Sequence, residues 1–108
     1  MANALLDVQN TFTTLNANYN MLRAACQTDQ QRTDLAAQYE AAETAYNKCV
    51  NKMLADDDAA VATLSTELKA ANEQIAKSVQ QMGNMSKVID DITTAVTTGA
   101  KLAAMAGL

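Results

Sequence analysis

Apolar side chains recur every three or four residues along most of the chain, from residue 5 to residue 96. This spacing places side chains on one face of a helix, and no useful length of the chain shows the period of two that marks a strand. The pattern therefore predicts an all-α protein. Its three stretches are Leu5, Val8, Phe12, Leu15, Tyr19, Leu22 and Cys26; Leu35, Tyr39, Ala42, Tyr46, Cys49 and Met53; and Val61, Leu64, Leu68, Ala71, Ile75, Val79, Met82, Met85, Ile89, Ile92 and Val96.

Three consecutive aspartates, Asp56 to Asp58, separate the second stretch from the third. Aspartate caps helix N-termini, and its charge favours the positive end of the helix dipole. We therefore predict the main turn near Asp56–Asp58. It divides the chain into two arms of roughly fifty residues, each about 75 Å long if fully helical. Arms of nearly equal length favour an antiparallel helical hairpin.

A wholly polar segment, residues 27–34, interrupts the first arm. Because a helix turns about 100° per residue, the step from Cys26 to Leu35 moves the apolar stripe to the opposite face. Two interpretations are open. Either the chain breaks here, with Thr28 and Gln31 at the spacing of a capping box, or one straight helix presents opposite faces to different partners.

Gly83 and Asn84 interrupt the second arm and would suit the end of one helix and the start of another. The apolar stripe nevertheless keeps its phase from Met82 through Met85 to Ile89. This continuity favours a continuous or gently kinked helix across Gly83.

Residues 27–34 in the first arm and Gly83 in the second decide between two architectures. If both are breaks, helices spanning roughly 3–27, 33–54, 58–82 and 85–106 would form a four-helix bundle. If neither is, a hairpin with long arms is expected to dimerise into four helices.

Composition agrees with a single all-helical domain over residues 1–108, since 49% of the chain is hydrophobic but only 4% is aromatic. Alanine-rich seams bury little surface per residue, so association with a second chain would add burial. The net charge of −4 is spread along the polar faces without a basic patch. This distribution disfavours nucleic-acid binding.

The chain has no histidine, which excludes Ser-His and Cys-His catalytic pairs and histidine metal sites. Three widely separated glycines provide no phosphate-binding loop. The four glutamates are better explained as solvated helix positions than as a paired-carboxylate site; they are Glu40 and Glu43 on the first arm and Glu67 and Glu73 on the second. We predict no catalytic residue, no cofactor, no metal and no enzymatic activity.

Cys26 and Cys49 lie on stripe positions, where a free thiol behaves as a small hydrophobic side chain. Their separation, about 35 Å along one helix, is too great for a disulfide. The chain start lacks the basic and apolar regions of a secretory signal. We expect a reducing cytoplasm, or export by a route that needs no cleaved signal peptide.

Residues 92–108 form a weakly charged C-terminal helical tail, in which only Lys101 is charged. Gly99, Ala103 and Gly107 recur every four residues, a spacing that permits close helix approach. With four threonines in seventeen residues, the tail makes a poor transmembrane helix.

These observations predict a non-enzymatic helical protein of the chaperone, adaptor, immunity or assembly-subunit type. It would self-associate, with a homo-oligomer expected, or bind a protein partner through apolar helix seams. The alternative is a membrane-docking or membrane-active protein that uses residues 92–108. The interface candidates are Leu15, Tyr19, Leu22, Met82, Met85, Gly99, Ala103 and Gly107.

Overall fold

Four helices that pack against each other make up the computed structural model, which describes residues 3–52 and 54–106. The helices are α1 (Ala4–Ala25), α2 (Asp29–Asn51), α3 (Ala59–Val79) and α4 (Met85–Met105). The two described ranges contain no strand. The all-α prediction is therefore confirmed, while Met53 of the second apolar stretch lies outside the described residues.

Each helix begins at a short polar side chain that accepts hydrogen bonds from backbone N–H groups of the first turn. Such caps satisfy donors that have no partner within the helix. The prediction that the aspartate run caps a new helix is confirmed, and of the two interpretations left open for residues 27–34 the structure has the break with a cap at Thr28. The four caps are Asn3, Thr28, Asp58 and Asn84.

The start of α2 shows why an apolar pattern misses a first turn. Thr28 Oγ1 accepts from the N–H of Gln31 at 3.1 Å, and the Gln31 side chain accepts from the N–H of Gln27 at 2.7 Å. The helix therefore begins at Asp29, four residues before the expected residue 33. Because its first turn carries only polar residues, hydrophobic periodicity does not detect it.

The expectation of a continuous helix across Gly83 is wrong. The third helix ends at Val79, and the fourth begins at Met85 after the Asn84 cap. The apolar phase persists because side chains on both sides of the turn, Val79 and Met85 among them, pack against the same core. A straight first arm is also excluded, since α1 ends at Ala25.

The hydrogen bonds between elements show how the helices are arranged. At one end, the Gln31 side chain donates to Ser86 Oγ, which brings the α1–α2 and α3–α4 turns together. At the other end, the N–H of Ala4 donates to Asp56 Oδ1 at 3.1 Å. Helix α1 packs against α2 and α3, and α4 packs against both of them as well. In the described part of the chain, α2 and α3 lie diagonally opposite without close backbone contact.

The core draws its large side chains from all four helices. The chain reverses at residues 26–28, and this reversal explains the half-turn shift of the apolar stripe, because both phases then face the same interior. The largest fully buried side chains include Leu15, Leu22, Leu35, Leu68, Ile75, Met85, Ile92 and Leu102.

Candidate protein-interaction face

The sequence-predicted interface residues fall into three groups. Leu15, Leu22 and Met85 are buried in the core of the chain itself, and so is Ala103. Gly99 is buried on α4, while Tyr19 and Met82 are partly buried. Gly107 lies outside the described residues. The role of these residues at a partner interface stays a prediction, and among the partly buried ones Tyr19 has the clearest structural context.

Tyr19 belongs to a cluster that contains every aromatic residue of the chain. The Phe12 ring stacks on Tyr46 with a centroid distance of 5.7 Å and meets Tyr39 at 5.5 Å. Tyr39 also meets Tyr19 at 4.9 Å, and its hydroxyl donates to Asn16 Oδ1 at 2.7 Å. All four rings are partly buried and pack against the core edge. They form a continuous aromatic ribbon between α1 and α2.

Helical spacing explains the ribbon. Phe12 and Tyr19 are seven residues apart on α1, and Tyr39 and Tyr46 are seven apart on α2. Residues one heptad apart lie on nearly the same helix face. When α2 folds back along α1, the two aromatic pairs interdigitate along their shared groove.

Both arginines of the chain lie at the turn end of this groove. Arg23 and Arg32 line a cavity of about 380 Å³ together with Tyr19, Asn20, Thr33 and Ala36. Arg32 hydrogen-bonds the exposed Asp29 carboxylate, which holds the pKa of Asp29 below its ordinary value. In the described part of the chain, Arg23 makes no salt bridge. Its guanidinium is available to an external acceptor.

The opposite end of the groove carries exposed apolar side chains and one carboxylate, that of Asp56. Leu5 and Val50 are 38% and 54% exposed, two of the four large hydrophobic residues that are exposed in the described chain. They line one cavity together with Leu54 and Asp56. We use the name α1/α2 face for the surface formed by Leu5, Phe12, Tyr19, Arg23, Arg32, Tyr39, Tyr46, Val50 and Asp56.

Two buried polar clusters on α3 offer a different kind of candidate. In the first, the carboxylate of Asp7 accepts from Ser65 Oγ and from Lys69 Nζ, the latter at 3.0 Å. Asn72 supports this cluster by donating to the backbone carbonyl of Asp7. Ser65 has no exposed surface, so a substrate cannot reach its hydroxyl in this conformation. The cluster joins α1 to α3.

The second polar cluster joins α3 to α4 in the same way. The Asp91 carboxylate accepts from Ser78 Oγ and from Lys87 Nζ, the latter at 3.0 Å. Burial acts to raise the pKa of Asp91, but the hydrogen bonds from Ser78, Lys87 and Gln74 together with the positive charge of Lys87 outweigh it, so the pKa lies below its ordinary value. The cluster therefore holds Asp91 in its charged form.

Among the described residues, the four glutamates lie on two different helices. Glu40 and Glu43 lie on α2, whereas Glu67 and Glu73 lie on α3, the helix diagonally opposite. Within the described ranges, no group of histidine, cysteine and acidic residues is placed to hold a metal ion.

Both cysteines are free and buried, as the stripe positions predicted. Burial raises the pKa of each thiol above its ordinary value. A protonated, buried thiol is a poor nucleophile and a poor metal ligand.

The described part of the C-terminal tail, residues 92–106, packs against the other helices as part of α4 and its C-cap. Ile92, Val96 and Leu102 are buried against the other helices. No described helix combines the length and the hydropathy required to span a membrane. Membrane docking by residues 92–108 stays a prediction, and it would require α4 to leave this position.

Sequence reasoning found Tyr19 but missed most of the α1/α2 face. The heptad spacing of Phe12 with Tyr19 and of Tyr39 with Tyr46 was a usable signal. No signal in the sequence indicated that Arg23 and Arg32 approach each other, because their approach depends on the chain reversing between them. Comparisons with protein-family models, curated proteins and solved structures find no match to this chain.

Proposed function

We propose that this chain is a non-enzymatic interaction protein that binds a protein partner, another copy or a different chain, through the α1/α2 face. The observation that carries the proposal is the concentration of all four aromatic residues and both arginines on one partly exposed face. Tyrosine and arginine are enriched among the residues that contribute most to binding at protein interfaces.

The layout of the face supports this role. The aromatic ribbon is central, and charged or exposed residues lie at both ends. Aromatic side chains supply a large contact area at low cost in conformational entropy, because each has few rotatable bonds. Arg23 adds a planar hydrogen-bond donor that matches a partner's carboxylate.

We also infer that one chain closes into a four-helix bundle by itself, with its two arms folded back on each other. The shared core of all four helices supports this inference, because neither apolar phase needs a second chain to cover it. Association then takes place on the outer surface, without exchange of helices. The two free cysteines are consistent with a reducing compartment such as the cytoplasm.

Site-specific photo-crosslinking in the cell that makes the protein tests the proposal. A benzophenone amino acid replaces Tyr46 in one variant and Tyr19 in another. The matched control carries it at Thr66, an exposed position on α3, diagonally opposite α2. We expect discrete protein adducts from residues 19 and 46 and few from residue 66. Equal yields from all three positions, or no adducts from the two face positions, would remove the support for this interface.

A further inference from the structure

We infer that the partner of the α1/α2 face is a second copy of this chain, docked antiparallel about a two-fold axis across the aromatic ribbon. This inference rests on the proposed function and names its partner. It depends on the charges at the two ends of the face: Arg23, which makes no salt bridge in the described part of the chain, lies at one end, and Asp56 lies at the other, while Arg32 is paired with Asp29.

The polarity of the face is self-complementary. A two-fold axis perpendicular to the helices places the Arg23 end of one copy over the Asp56 end of the other, and the same contact then occurs a second time. The parallel arrangement would instead place arginine against arginine. Like charges that face each other in an interface are unfavourable, so charge selects the antiparallel orientation.

The apolar residues support the same geometry. Leu5 and Arg23 are separated by about 27 Å of helix, and the aromatic ribbon lies between them. The two-fold axis therefore passes through the ribbon, and the rings of both copies meet around it. The exposed side chains of Leu5 and Val50 would be covered by the turn end of the other copy, where the aliphatic stems of the arginines lie.

The size of the face is suitable for a dimer. Two adjacent helices present a width of about 20 Å, so the face covers several hundred Å². Standard interfaces bury about 800 Å² per partner. A face of this order supports a weak or moderate dimer, which we expect to depend on protein concentration and on salt.

Charge-swap variants of the purified full chain, studied by analytical ultracentrifugation over a range of concentrations, test the dimer. We expect Arg23→Glu to raise the dimer dissociation constant by about tenfold or more, because it faces Asp56 with a like charge. The control is Lys77→Glu. It reverses a basic residue in the last turn of α3, as Arg23→Glu does in the last turn of α1. We expect this control to leave the dissociation constant within about twofold.

Two complementary variants test the pairing itself. Asp56→Arg alone should weaken the dimer, and an equimolar mixture with Arg23→Glu should restore it as a heterodimer. Asp56 also accepts a hydrogen bond from the N–H of Ala4, which Asp56→Arg would remove. Val50→Arg therefore serves as a second variant, because it adds a positive charge at the same end of the face from an exposed position. Thermal melting of each variant confirms that it is folded.

The outcomes separate this inference from the proposed function. Rescue by mixing supports the antiparallel dimer. A wild-type chain that remains monomeric at millimolar concentration, or a dimer that Arg23→Glu and Lys77→Glu weaken equally, would overturn it. In either of those cases, photo-crosslinks from Tyr19 and Tyr46 to a different protein would leave the proposed function standing. Absence of those crosslinks would remove both.

Discussion

At the scale of single residues, α3 is fixed by two serines, each of which donates to a carboxylate on a neighbouring helix. Ser65 donates to Asp7, and Ser78 donates to Asp91. A lysine amino group completes each cluster, so neither carboxylate is left buried without a counter-charge. Because an unpaired buried charge is costly, these clusters disfavour any sliding of α3 along its neighbours.

The lowered pKa of Asp91 predicts a dependence of stability on pH. A carboxylate with a folded-state pKa below its ordinary value of 3.8 stabilises the folded chain above that pH. This stabilisation is lost as the pH falls through the folded-state pKa. Ser78→Ala removes one hydrogen bond that lowers the pKa. We expect a loss of about 1 kcal/mol in the free energy of unfolding at neutral pH and a shallower decline in acid.

Urea unfolding from about pH 7 to about pH 2 measures this effect. The control is Thr97→Ala, at an exposed position on α4, which should leave the shape of the pH curve unchanged. If Ser78→Ala gave a curve parallel to that of the wild type, the hydrogen bond would not be what lowers the pKa of Asp91.

At the scale of helices, α4 carries a glycine where an alanine would fit. Gly99 lies in the helix interior, and a Cβ built there would meet no atom within 4 Å apart from its chain neighbours and the adjacent backbone of its own helix. Glycine in a helix costs about 1 kcal/mol relative to alanine. We therefore expect Gly99→Ala to raise the free energy of unfolding by about 0.5–1 kcal/mol, measured by urea unfolding.

The reverse substitution at the next position is the matched control. Ala100 is exposed on the same helix, and Ala100→Gly should lower stability by about 1 kcal/mol. A destabilised Gly99→Ala chain would show instead that another helix approaches Gly99 closely, as the four-residue spacing with Ala103 suggested.

The sequence predicted the all-α class but left open whether the arms are continuous or broken into four helices, and it predicted the helix boundaries unevenly. The caps at Thr28 and Asp58 could be recognised in the sequence because a cap depends on one polar side chain and the backbone N–H groups of residues two or three positions later. The break at Gly83 was missed because the apolar phase on both sides of a turn is preserved when both sides face one core. Periodicity reports which face is apolar, but it does not report whether the chain reverses between two turns of helix.

At the scale of the whole molecule, the diagonal placement of α2 and α3 determines which helices become neighbours. It places α1 beside α3 and α2 beside α4, so the α1–α2 pair and the α3–α4 pair cover each other. The α1/α2 face then forms from residues on both sides of a chain reversal. The aromatic part of the face was visible as two heptad pairs, whereas the placement of Arg23 and Asp56 at opposite ends of the face required the folded arrangement.

This architecture predicts cooperative unfolding of the entire chain. All aromatic side chains lie on α1 and α2, so near-ultraviolet circular dichroism reports on that pair alone. Far-ultraviolet circular dichroism reports on all four helices. Because the common core and the Asp7–Ser65 hydrogen bond join the α1–α2 pair to the α3–α4 pair, we expect the two signals to share one urea midpoint.

A substitution on one pair tests this expectation. Ala37→Gly on the exposed surface of α2 should lower both midpoints together. If only the near-ultraviolet midpoint moved, α1 and α2 would unfold as a separate unit, and the pairs would be docked rather than sharing one core.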